Sequence, residues 1–454
     1  MKLQTAFRLP DVPRLAMIGA GGKSSALFCL AKELVEQQRT VIISSTTHLG
    51  AWQVKTGDAH RVLGAGEWLE TTADLPRGVV FITGPIGDDQ RASGLDERTM
   101  GQLFALADTQ QLPLLIEADG ARQLPLKAPA EHEPVVPEWV NQVGVCAGLM
   151  GSGKPLSGDW VHRPEHFAHL SGLKIGELIT PEALSRVLMH PQGGLKGITT
   201  HARRFLLLNQ ADTQELQAQA RTITRLVQQA YHSVVIASSP GKGGEGKPGS
   251  LGQGFEIHAV HEAVAGIILA AGGAMRYGSL KQLLSWKGQS LVRHAAQTAL
   301  QAGLSPVVLV TGAGAEEVSQ AVSGLPVRLV NNPDWQAGQS TSVQAGLRVL
   351  PEVCGGAVFL LADQPNVPAT LVDALVEAHS QELAPIVAPL VDGQRGNPVL
   401  FDAVTFKDLL TLTGDQGGRQ IFSRYPVRYI HWHDRAVLLD VDVPQDYERL
   451  IRGE

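Results

Sequence analysis

The sequence predicts an α/β protein built as two three-layer domains, each a largely parallel sheet between layers of helix. Three observations lead there. Short runs of Val, Ile and Leu recur along the chain, and segments of helical spacing lie between several of them. A tract dense in Gly, Pro and Ser then divides the series in two. In the first half the runs Leu15–Ile18, Val41–Ser44, Val79–Ile82, Leu112–Ile116, Phe205–Leu208 and Val234–Ala237 read as buried strands. Helical spacing covers Ser25–Gln37 and Gln214–Tyr231. The stretch Ser238–Gly254, SSPGKGGEGKPGSLGQG, has no apolar periodicity and reads as a linker or loop. A second series follows: Gly266–Ala271, Pro306–Val310, Val327–Val330, Ala357–Leu361, Ile386–Leu390 and Val437–Val441. The expected organisation is therefore a domain over 1–240, a Gly-rich linker over 241–262 and a domain over 263–454, in keeping with the chain's 454 residues.

Composition narrows the function. With 44% hydrophobic and 18% charged residues, the chain is that of a soluble globular protein. A net charge of −6 offers no broad cationic face, so no nucleic-acid partner is expected. No run of about 18 apolar residues occurs, so no membrane partner is expected either. The N-terminal segment has no apolar signal core, and Cys29, Cys146 and Cys354 stand far apart with no CxxC pair. Both features point to the cytoplasm.

The most informative segment is GIILAAGGAMRYGSLKQLL, Gly266 to Leu284: an apolar strand, a glycine-rich turn, then two cations. The backbone of Ala270, Ala271, Gly272, Gly273 and Gly278 can approach anionic oxygens there, while Arg276 and Lys281 offset triphosphate charge. Neither the Walker lysine placement nor the third glycine of the dinucleotide fingerprint is present. Farther along, Asp363 follows the run Ala357–Leu361 and Asp442 follows Val437–Leu439, both expected at strand ends. Two such carboxylates can hold one Mg²⁺, the catalytic set then being Arg276, Lys281, Asp363 and Asp442.

These residues resemble the MocA-like family of molybdenum cofactor cytidylyltransferases. The match runs in order through Leu269-Ala270-Ala271-Gly272, Arg276, Gly278 and Lys281, then Asn332-Pro333, Trp335 and Gly338. It continues through Leu361-Ala362-Asp363-Gln364-Pro365, Gly396-Asn397-Pro398, Gly414–Arg419 and Asp440-Val441-Asp442. Departures are Ala274 for Ser, Asn397 for His and Gly418 for Ala. The resemblance implies a Rossmann-like nucleotidyltransferase domain, CTP as substrate and molybdopterin-bound molybdenum as acceptor. Trp335, Gln339, Ser340, Thr341 and Arg395 are candidates to line the acceptor pocket. A sugar-phosphate nucleotidylyltransferase shares the glycine-rich start, and a non-catalytic molybdenum cofactor chaperone is the alternative from another class.

In the first half, AMIGAGGKSS places Gly19, Gly22, Lys23 and Ser24 between a strand and a helix. The full Walker A spacing fails at Met17, but the shortened form, similar to that of Mur ligases, is present. Backbone donors and a helix N-terminus would face phosphates, Lys23 would add charge and Ser24 would reach Mg²⁺. This is a P-loop-like domain expected to take ATP or GTP. Downstream the run Leu112–Ile116 ends in Glu117 and Asp119, which can hold a metal or orient water, and Ser45–His48 follows another strand end. With Glu117–Pro134, His162-Arg163-Pro164-Glu165 and Lys196-Gly197, the region from about 10 to 240 resembles YqeC-like proteins. That family is associated with selenium-dependent molybdenum hydroxylases, which implies a hydroxylase apo-enzyme as client and cofactor handover within one fused chain. Asn209-Gln210-Ala211-Asp212 resembles the NKxD guanine-reading element, with Gln210 in place of Lys. His162, His166 and His169 have the spacing of one helix face, where surface histidines are commoner than metal ligands.

Overall fold

The computed structural model describes residues 1–453 apart from 38, 65–66, 68–73, 240–253, 274–276 and 278. Contacts divide the chain into two units, Met1–His261 and Glu262–Glu454.

Unit 1 is built on strands β1 (Arg14–Gly19), β2 (Val41–Ser45), β3 (Ala59–Val62), β4 (Val79–Thr83), β5 (Leu114–Glu117), β6 (Leu126–Lys127), β7 (Gln142–Gly148), β8 (Val161–His162), β9 (Arg203–Asn209), β10 (Ser233–Ser238) and β11 (Glu256–Glu262). Nine of them form one sheet in the order β11-β10-β9-β7-β1-β5-β2-β4-β3, while β6 and β8 pair separately. From β9 across to β3 every neighbouring pair is parallel. Alternation along β1 explains why both faces are covered. Ala16 and Ile18 join a core with Leu103, Leu184 and Ile223, while Leu15 and Met17 face the other way and are equally buried. The longer helices are α1 (Lys23–Val35), α2 (Glu97–Thr109), α3 (Pro164–Ser171), α4 (Pro181–Met189) and α5 (Gln214–Val227). Helix α1 thus begins at Lys23, two residues before the helical spacing predicts.

Strand β7 has no counterpart among the expected runs, although it lies in the sheet's middle, between β1 and β9. Its sequence, QVGVCAG, is broken by glycine for a steric reason. A Cβ on Gly144 would lie 2.2 Å from Met17 Sδ and 2.6 Å from the Phe205 ring. Most of the segment read as a linker, 240–253, lies outside the described residues, whereas residues 256–262 form β11 on the edge of this sheet.

Unit 2 contains β12 (Val264–Ala270), β13 (Val307–Thr311), β14 (Arg328–Asn331), β15 (Gly356–Leu361), β16 (Ile386–Val391), β17 (Gln394–Arg395), β18 (Val399–Asp402) and β19 (Val427–His431). They form one sheet, β14-β13-β12-β15-β18-β16-β17, with β19 on β16. The first four are parallel and β18 runs antiparallel. Helices α6 (Leu291–Gln301), α7 (Gln339–Leu347), α8 (Ala369–Glu382) and α9 (Pro444–Arg452) complete it. Two separate cores, one holding Ile268, Val292 and Leu375 and the other Ile267, Val308 and Val343, show the three layers directly. The expected strand Val437–Val441 is absent: Arg435–Leu438 is a 3₁₀ turn capped by Asp434. Its apolar residues serve two different clusters, Val437 packing with Leu371 and Val391, and Val441 with Trp286 and Leu291. The apolar run that looks like a strand is a chain crossing between them.

Gly144→Ala is expected to destabilise unit 1 by about 1–3 kcal/mol, the range for overfilling a packed core. Denaturant unfolding measures it, and an unchanged midpoint would mean that Met17 and Phe205 yield without cost.

Candidate functional site

In unit 2, β12 ends at Ala270, and Ala271, Gly272 and Gly273 lead away from it. Gly273 packs on an aromatic ring, since a Cβ there would lie 2.6 Å from the Trp335 indole, while Gly272 faces open space. The buried amide of Gln282 donates to Ala270 O (3.3 Å) and Gly272 O (3.2 Å), turning these carbonyls inward. Arg276 and Gly278 lie outside the described residues. Lys281 begins the next 3₁₀ turn, and its Nζ sits 2.6 Å from Asp363 Oδ2 and 2.6 Å from Asp442 Oδ1. Burial pushes the ammonium down, but the two carboxylates outweigh it and hold its pKa above the ordinary lysine value.

The chain brings the two aspartates together by different means. Asp363 lies two residues past β15, and its carbonyl accepts from Val441 N (3.1 Å), which sets Asp442 beside it. Asp446 Oδ2 then accepts from both Asp442 N and Val443 N (3.1 Å each) at the start of α9. Asp363 Oδ1 is buried and has no hydrogen-bond partner among the described residues. Asp440, to which the sequence reading assigned no role, accepts from Gln364 Nε2. Burial, aided by the charges of Asp363 and Asp442, holds its carboxyl above the usual range. Of the acceptor-side candidates, Ser340 is buried and Thr341 Oγ1 is engaged by Asn332 Nδ2 (2.8 Å). The Arg395 guanidinium lies 3.9 Å from the Phe422 ring centroid, and Gln339 packs against Gly417.

In unit 1 the loop from Gly19 to Gly22 joins β1 to α1 with positive φ at Gly19 (+93°), Gly21 (+83°) and Gly22 (+135°), a path that glycine tolerates. Asp119, just beyond β5, anchors it. Its Oδ2 accepts from Gly19 N (2.9 Å) and from Lys127 Nζ (2.8 Å), while Lys23 Nζ lies 3.0 Å from Oδ1. Lys23 also donates to Gly19 O (2.5 Å). Ser24 Oγ donates to Glu117 Oε2 (2.7 Å), and Ser45 Oγ donates to Glu117 O (2.9 Å). Burial raises the Glu117 pKa, and Lys23 and Ser24 pull against it.

Lys127, Glu133 and Arg163 extend this network, though no spacing rule marks them. Lys127 Nζ is 2.9 Å from Glu133 Oε2, which Arg163 Nη1 meets at 2.8 Å. His162 belongs to β8 and not to the helix carrying His166 and His169, because Arg163 turns the chain at φ +65°. Burial, with Arg163 and Lys127 nearby, pushes its imidazole down to about 4. Among the described residues no group of three or more His, Cys, Asp or Glu side chains is arranged to hold a metal. Cys29, Cys146 and Cys354 are free and buried, and burial pushes the thiols of Cys29 and Cys146 up to about 12 and that of Cys354 to about 11.

Residues 15–165 match the family model described as YqeC protein, and residues 266–429 match the one described as MobA-like NTP transferase domain. The chain is 31% identical to the uncharacterized protein YqeC of Escherichia coli over 207 residues, covering 43% of this chain and 75% of that protein. It is 33% identical to the nicotine blue oxidoreductase of Paenarthrobacter nicotinovorans over 198 residues, 41% of this chain and 96% of that one. Identity to the molybdenum cofactor cytidylyltransferase of Escherichia coli is 26% over 186 residues, 41% of this chain and 94% of that one.

Two outcomes test the unit 1 network. Lys127→Met leaves buried carboxylates uncompensated and is expected to lower the unfolding free energy of unit 1 by about 3–5 kcal/mol in denaturant melts. Glu133 is a depressed carboxylate, held at about 2 against an ordinary 4.5 by Arg163 and Lys127 in spite of burial. Its stabilisation is therefore complete above pH 4.5 and lost as the pH falls toward 2. Glu133→Gln should flatten the stability curve across that window, and a curve of unchanged slope would refute the assignment.

Proposed function

Because the chain belongs to the YqeC family through its first unit and to the MobA-like NTP transferase family through its second, we propose that unit 2 transfers CMP from CTP to molybdopterin-bound molybdenum. An oxygen of the acceptor's terminal phosphate bonds to the α-phosphorus of CTP. The α–β phosphoanhydride bond breaks, and pyrophosphate leaves with its electron pair. The observation that carries this reading is the meeting of Asp363 and Asp442 on a single cation, Lys281 Nζ, at the edge of the sheet.

That donor set fits a hard divalent ion such as Mg²⁺: two carboxylates converge on one positive charge, and Asp363 Oδ1 is buried with no partner among the described residues. Bound there, Mg²⁺ would supply neutralisation of the charge growing on the α-phosphate and on pyrophosphate. Lys281 adds a positive charge toward the triphosphate, and Asp446 keeps Asp442 in position through its backbone amide. Arg276 and the turn over Ala270–Gly273 and Gly278 are assigned to the phosphates, on the strength of their order in the sequence.

For unit 1 the same reading assigns ATP or GTP to a P-loop-like site at Gly19, Gly22, Lys23 and Ser24, with Asp119 behind it. It is supported by the glycine path, by Lys23 at the first turn of α1 and by the Ser24–Glu117 hydrogen bond. The nucleotide would drive handover of the finished cofactor to a molybdenum hydroxylase apo-enzyme. No helix among the described residues is long and apolar enough to cross a membrane, and the assigned setting is the cytoplasm.

The test is pyrophosphate release by the full chain with Mg²⁺ and CTP, GTP or ATP, each with and without molybdopterin carrying molybdenum. Release is expected with CTP and only when the pterin is present. Asp363→Ala should lower it by at least about 100-fold. Silence with every nucleotide would favour a cofactor chaperone, and turnover with sugar 1-phosphates would favour a sugar nucleotidylyltransferase. Turnover of nicotine blue would instead align unit 2 with the oxidoreductase relative.

A further inference from the structure

We infer that the nucleotide site of unit 1 selects guanine, with Asp212 at the end of β9 reading the base. The inference rests on the assignment of a nucleotide to the Gly19–Gly22 loop and goes beyond it by naming the base.

Strand β9 ends at Asn209, which is 1% exposed and whose Nδ2 donates to Gly21 O (2.7 Å). The approach is so close that a Cβ on Gly22 would fall 2.2 Å from Nδ2. The glycine loop and the end of β9 are thus a single piece. Among the described residues Asn209 Oδ1, on the same side chain, is buried with no hydrogen-bond partner, and Gln210 Oε1 is likewise buried and unpaired. Polar atoms left this way at a sheet edge mark a place where a polar ligand completes the bonding. Gln210, at φ +62°, turns the chain, and Ala211 N donates to Ala237 O (3.1 Å). The exposed Asp212 follows. It is not spent as a helix cap, because Thr213 caps α5 by accepting from Leu216 N (3.2 Å). Among the described residues the Asp212 carboxylate makes no hydrogen bond or ion pair.

Position and chemistry then agree. Strand β9 is two places from β1 in the sheet, with β7 between them. At roughly 4.8 Å per strand, the end of β9 that leads to Asp212 is displaced about 10 Å along the sheet from the end of β1, a span comparable to that from a nucleotide's phosphates to its base. A carboxylate offers two acceptor oxygens and no donor. Guanine presents N1–H and the N2 amino group side by side and satisfies both. Adenine sets an acceptor nitrogen at N1, which the carboxylate repels.

The experiment is equilibrium binding of fluorescent GDP and ADP analogues to the full chain, with Lys23→Met to isolate the unit 1 component. GDP is expected to bind about 10–100-fold more tightly than ADP, the discrimination of one bidentate contact. Asp212→Asn should weaken GDP by a similar factor and make xanthosine diphosphate, which has a carbonyl at C2, the preferred ligand. That gain of binding also demonstrates that the variant is folded. Lys23-dependent binding of ADP as tight as GDP, or an unchanged GDP affinity in Asp212→Asn, overturns the guanine assignment and leaves the nucleotide site standing. No Lys23-dependent binding of either nucleotide overturns both.

Discussion

A single carboxylate, that of Asp119, fixes the working end of unit 1. It accepts the first loop amide and faces two ammonium groups at once, with only 2% of its side chain exposed. Charges so deeply buried are costly unless each meets an opposite charge, so the arrangement stands or falls as a whole. Lys127 supplies the second positive charge, Glu133 balances Lys127, and Arg163 balances Glu133. The loop's shape is in this sense set from behind, by residues that no incoming phosphate needs to touch.

Unit 2 solves a similar problem in a more open way. Lys281 also holds two carboxylates, but Asp442 is 52% exposed where Asp119 is sealed. An exposed ion pair is weak, and its partners exchange readily for other charges. The lysine therefore keeps two carboxylates close together without locking them, while Asp446 and the Val441–Asp363 backbone bond do the positioning.

Much of this was legible in the residues. The unbroken apolar runs are strands because a parallel sheet covered on both faces needs apolar side chains at every position, and these runs have them. What escaped has a local cause in each instance. Strand β7 hides because packing against Met17 and Phe205 demands glycine at 144, and glycine reads as a break. Val437–Val441 is an apolar run like the strands but divides its side chains between two small cores. Lys127 pairs with the nearby Asp119 and Glu133, and Asp440 with the distant Gln364, and periodicity carries no sign of such pairings. The Lys23 and Asp363 positions were legible because a glycine turn and a strand end announce themselves in one dimension, whereas Asp442 follows a 3₁₀ turn where the residues suggest a strand.

The last strand of the first sheet, β11, ends at Glu262, and the first strand of the second unit begins at Val264, so one residue separates two sheets. Strand β10, buried along its whole length, has β11 as its outer neighbour. Any fragment of unit 1 cut at residue 240 would thus expose a long apolar edge with a full row of unpaired backbone groups, which invites self-association. Separating the two units by truncation calls for a cut at Ala263, a margin of a single peptide.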